Sequence, residues 1–180
     1  MKKSELITID SPDFNLSEEE YKYQDELTTE LDSFVGDFDQ NLINKIVLWK
    51  INRYAKLDEE TIKLLNGILP TDKEIDKEKT ITVLSALLNI PGIGIPMAST
   101  ILRFRNPNIY QIIDQRAYRI LYGEELKLSA TKTAENIETY LYYLERLKAF
   151  CISSGKDFSK SDRFLYEKDK KLNKELRIRY

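Results

Sequence analysis

Residues 87 to 123 read LLNIPGIGIPMASTILRFRNPNIYQIIDQRAYRILYG, and the order of residue types in this stretch decides the fold. Ile90, Pro91, Gly92, Ile93 and Gly94 form a tight turn between two apolar segments with helical spacing, and glycine frees the backbone there for positive φ and close approach. Pro96 stands where a helix begins, a position at which its missing N–H removes no intrahelical bond. The turn therefore presents the N–H groups of Gly92, Gly94 and the helix start, backed by the positive end of a helix dipole. Such an arrangement suits a phosphate. A Pro-containing loop follows at Asn106, Pro107 and Asn108, then Ile112, Ile113 and Asp114, with Arg119 five residues beyond the aspartate.

These residues resemble the helix-hairpin-helix DNA glycosylases, the HhH-GPD superfamily that includes endonuclease III-like enzymes. The resemblance rests on the hairpin at Pro91–Gly94, the 22-residue step from Gly92 to Asp114, and the step from Asp114 to Arg119. It implies an all-α protein with two helical lobes around a cleft, faced by both the hairpin and Asp114. It also implies double-stranded DNA, damaged or mismatched, as partner. Pro91, Gly92, Ile93 and Gly94 would hold phosphates, with Arg103, Arg105 and Arg116 neutralising others, and Asp114 would be the catalytic carboxylate of base-excision repair. Bifunctional members carry a lysine four residues after the first hairpin glycine. Here that residue is Pro96, so the resemblance implies a monofunctional N-glycosylase that uses water. A noncatalytic DNA-binding or interaction module on the same fold is the alternative.

Plainer readings stand beside these. The glycine turn by itself fits any αα-hairpin, Asp114 fits an N-cap for the helix that follows, and the arginines fit a solvated or salt-bridged face. The uncharged run from Thr80 to Leu102, 23 residues, is broken by Pro91, Gly92, Gly94 and Pro96 and reads as two short buried helices, not a membrane span.

The whole chain has 180 residues, 42% hydrophobic and 32% charged, the composition of a soluble globular domain. It is read as a single domain with an acidic segment at 1–40, the hairpin and aspartate region at 80–123 and C-terminal helices at 131–180. One cysteine, Cys151, excludes an internal disulfide and a four-cysteine iron–sulfur cluster, and with no histidine a zinc site is not expected. No cofactor is called for. Met1 to Ser11 lacks an apolar signal core, so the cytoplasm is the expected compartment. The first 40 residues hold three basic and twelve acidic side chains and the remaining 140 hold twenty-five and eighteen, giving a front of −9 and a body of +7. A basic body suits a polyanion. The acidic front is read as a solvated helix or as a cover over the basic surface.

Periodicity and caps predict about eight helices and no strands. Ser17 and Glu20 make a capping box for a helix to about Val35. A second helix runs from Asp39 or Gln40 to Lys56 with Leu42, Ile43, Ile46, Val47, Ile51 and Tyr54 as its apolar stripe, and Trp49 among them is read as core before exposed stacking residue. Asp58 caps a third ending near Leu69, a fourth starts near Lys79, Gly123 closes the helix after Asp114, and a long helix spans about Thr131 to Cys151. Its stripe is Ala134, Ile137, Leu141, Leu144 and Phe150, with Tyr140, Tyr142 and Tyr143 interleaved and read as packing before base stacking. Ser161 is expected to cap the last helix, to about Leu176.

Overall fold

The structure is a computed structural model that describes residues 23–52, 54–129 and 131–176. Among these residues there are eight α-helices and no strands. The chain divides into two compact units, residues 1–54 and 55–180. The Ser17–Glu20 capping box and the turn at Ser11–Asp13 lie outside the described residues, as does most of the acidic front.

In the first unit, α1 (Asp25–Asp32) and α2 (Gln40–Lys50) are joined through polar contacts around Trp49. The Trp49 indole N–H donates to Thr28 Oγ1 at 2.9 Å, and the Tyr23 hydroxyl donates to the Trp49 carbonyl at 2.9 Å. Trp49 is thus half-buried against Tyr23 and α1, not enclosed in a core. Asp39 caps α2 by accepting from Leu42 N. The helix ends six residues earlier than its periodicity suggests, because Asn52 turns into the left-handed region at φ 52°. Of the predicted stripe only Leu42 is buried, while Ile43, Val47 and Ile51 are exposed.

The second unit holds α3 (Glu59–Asn66), α4 (Lys77–Leu88), α5 (Ile95–Arg105), α6 (Gln115–Tyr122), α7 (Thr133–Ser154), a 3-10 turn at Phe158–Lys160, and α8 (Ser161–Leu172). Three aspartates start three of these helices in the same way. Asp58, Asp76 and Asp114 each accept from the N–H three residues on, satisfying a donor that the helix leaves unpaired. The last helix departs from expectation. Asp157, not Ser161, supplies the capping oxygen, and it caps the 3-10 turn through Ser159 N at 2.9 Å. Ser161 is already helical, and its hydroxyl donates back to the Phe158 carbonyl.

The core gathers Leu84 and Leu87 from α4, Ala98 and Leu102 from α5, and Leu144 and Leu147 from α7 around the segment that links α5 to α6. That link is buried although it is not helical, so its polar groups need internal partners. Asn106 is fully buried. Its amide donates to the carbonyls of Leu69 and Asp72, and its Oδ1 accepts from Asn108 N. The Tyr140 and Tyr143 hydroxyls donate to the carbonyls of Gln111 and Ile112 at 3.0 and 2.8 Å. These two tyrosines are core residues of α7, in agreement with packing over stacking, and they replace Ala134, which is exposed.

Candidate functional site

Ile90 to Ile93 is a β-turn closed by Ile93 N donating to the Ile90 carbonyl at 3.1 Å, with proline second and glycine third. Gly92 has φ 85°, the third-position geometry of a type II turn. Gly94 is different: at φ −98° and ψ 175° it is ordinary extended backbone and serves as the N-cap of α5, which places Pro96 second in the helix, not first. Pro91, Gly92 and Gly94 are exposed, whereas Ile93 is buried and anchors the turn. The N–H groups of Gly92 and Gly94 have no partner among the described residues. The two glycines line an open depression of about 430 Å³ with Ser129, Thr133 and Asn136.

The two glycines are therefore not equivalent. Gly92→Ser forces a side chain into positive φ and is expected to cost about 1–2 kcal/mol. Gly94→Ser places a good capping residue where an added Cβ meets nothing nearer than Pro96 Cδ at 3.8 Å, so stability should hold or rise by a few tenths. Thermal melts of the two variants check the difference.

Asp114 is the N-cap of α6, its Oδ1 accepting from Ala117 N at 2.7 Å. It is only half-buried, and it also walls an open depression of about 390 Å³ with Ile112, Asp162, Arg163, Tyr166 and Glu167. Burial lifts its carboxyl above the ordinary carboxylate value; the N–H groups of Ala117 and Arg116 oppose this, and the nearby charge of Asp162 adds to it. Its position is fixed from the hairpin side. Ile113 N donates to Ser99 Oγ at 3.2 Å, and Ser99 Oγ donates to the Pro96 carbonyl in the first turn of α5. Even so, Asp114 and the hairpin line separate depressions, because the intervening segment crosses the core.

The three sequence-selected arginines are held in structural contacts. Arg103 is buried, its Nη2 donating to the Ser159 carbonyl at 3.1 Å. Arg105 donates to the carbonyls of Ile68 and Asn66 at the end of α3, where a cation meets unpaired carbonyls. Arg116 pairs with Asp169 at 3.1 Å and lies over the Tyr166 ring. None of the three presents a free guanidinium. No family model matches the chain, and no curated protein or solved structure matches it either.

Asp162 is the residue that sequence reading overlooked. It is 3% exposed, and its Oδ2 has no hydrogen-bond partner among the described residues. Arg103 Nε stands 3.9 Å away, close enough for charge compensation and too far for a hydrogen bond. Two carboxylates thus line one depression. Asp114 is reachable from solvent and lifted by burial; Asp162 is buried and backed by an arginine. Nothing local signals this, since Asp162 lies 48 residues beyond Asp114 and looks like an ordinary first-turn acid.

Proposed function

We propose that this chain binds double-stranded DNA and acts as a monofunctional N-glycosylase. The observation that carries the reading is that Asp114 remains a wall of an open depression while capping α6. The depression is within the size range of small-ligand sites, which begins at roughly 300 Å³. In the reaction, the C1′–N bond of an extruded nucleotide breaks through an oxocarbenium-like state, stabilised by the Asp114 carboxylate. Water then forms the C1′–O bond, giving its proton to Asp114, and the departing base takes a proton from solvent. The N–H groups of Gly92 and Gly94, without a partner among the described residues, would hold a phosphate, contributing position and not sequence preference. Pro96 offers no amine for Schiff-base formation.

One observation favours a noncatalytic DNA-binding module instead, namely that the hairpin and Asp114 open into different depressions. A panel of duplexes carrying alkylated, deaminated, oxidised or mismatched bases separates the two. Base release that leaves an intact abasic strand, with no adduct trapped by borohydride, is the expected result. A trapped adduct would overturn the monofunctional mechanism. Duplex binding with no release from any substrate would establish the noncatalytic module.

A further inference from the structure

With Arg103, Arg105 and Arg116 engaged elsewhere, solvent-facing cations are found on α8 and at the end of the 3-10 turn before it, and one of them, Arg163, borders the Asp114 depression. Lys160, Arg163, Lys168 and Lys171 are exposed and line an open depression of about 430 Å³ with Phe164 and Glu167. Lys160 ends the 3-10 turn, and Arg163, Lys168 and Lys171 follow on α8 within about 140° of its circumference, the three spanning about 12 Å at 1.5 Å per residue. None of the four forms an ion pair with a described residue, and the one acid among them, Glu167, is already paired with Lys170 at 3.1 Å. Favourable interaction with the helix dipole accounts for Lys170 and Lys171 in the last turn, but not for Lys160, Arg163 or Lys168.

Two features give this stripe a direction. Lys156 and Lys168 both lie over the Phe164 ring, at 5.5 and 5.6 Å, so the aromatic face is framed by cations. Arg163 and Glu167 line this depression and also the one that holds Asp114, so the two are contiguous. We infer that the stripe from Lys160, at the end of the 3-10 turn, through Arg163, Lys168 and Lys171 of α8 is a phosphate-backbone track for nucleic acid, leading through Arg163 to the nucleotide that enters the Asp114 depression. The inference rests on the DNA reading above and replaces the three arginines as the source of charge neutralisation. A row of separate cations on a rigid helix fits a repeating polyanion, and each phosphate neutralised releases counterions.

The test is the salt dependence of duplex binding by the full chain, followed by fluorescence anisotropy with a labelled undamaged duplex. Lys168→Gln/Lys171→Gln changes only exposed side chains, and an unaltered melting curve confirms that the variant is folded. For the wild type, log affinity should fall linearly with log salt. The double variant should reduce the magnitude of that slope by about 2 and weaken binding about uniformly across duplex sequences. Wild-type binding with an unchanged slope in the variant overturns the track and leaves the DNA reading standing. Failure of the wild type to bind any duplex overturns both, and binding to anionic phospholipid vesicles in place of duplex assigns the stripe to a membrane surface and likewise refutes the inference.

Discussion

Asp169→Ala should be the most destabilising single substitution on the α6–α8 contact, by about 3–5 kcal/mol. Asp169 is fully buried, and it joins α8 to α6 through three hydrogen bonds. Arg119 Nε and Nη2 donate to its two oxygens at 2.9 and 2.7 Å, and Arg116 Nη1 donates at 3.1 Å. Asn173 adds a fourth donor at 2.8 Å. Removing the carboxylate leaves two guanidiniums, each largely shielded from water, without their counter-charge. Arg119→Met should cost less, because Arg116 still compensates Asp169, and the double variant should be less unstable than the sum of the two singles. Chemical denaturation of the three variants measures this.

The same carboxylate gives the contact an acid limit. Burial alone would raise its pKa, but the hydrogen bonds from Arg119, Asn173 and Arg116 outweigh it and hold the group below the ordinary value of 3.8. A depressed carboxyl contributes stability that is complete above the unfolded value and is lost as pH falls through the folded one. The gap between wild type and Asp169→Ala should therefore stay constant from neutral pH down to about 5 and narrow below about 4.

The contrast between what was readable in the sequence and what was not follows the range of the interactions. The caps at Asp58 and Asp114 are local, since a side-chain oxygen and the N–H three residues on are fixed by the helix start itself. The turn at Pro91 and Gly92 is local for the same reason. By contrast, Arg116 and Arg119 find their partner about fifty residues away, and Tyr140 and Tyr143 find theirs about thirty away. Arginines clustered near a proposed phosphate site carry no local sign that a buried aspartate already claims them. The tyrosine hydroxyls are likewise explained only once the non-helical link at 106–114 is seen to be buried. Asp162 was invisible because its neighbours Arg103 and Asp114 come from two other elements.

That pair of carboxylates supplies the last and largest expected effect on activity. On the proposed glycosylase reading, Asp114→Asn should lower base release by roughly 10²-fold or more, the scale of losing one electrostatic stabiliser at the transition state. Stability should hold, because asparagine caps a helix nearly as well as aspartate. It should even rise slightly at neutral pH, since a carboxyl lifted by burial costs stability when ionised above its folded pKa. If the ionised form is the active one, wild-type release should fall on the acid side with a midpoint above the ordinary 3.8. Asp162→Asn separates electrostatics from packing. The charge of Asp162 is one cause of the raised Asp114 pKa, so removing it should move that acid limb to lower pH. It should also cost stability, because Arg103 loses its nearest carboxylate. A merely structural Asp162 would lower stability and leave the limb in place. Full release by Asp114→Asn would remove Asp114 from the chemistry altogether.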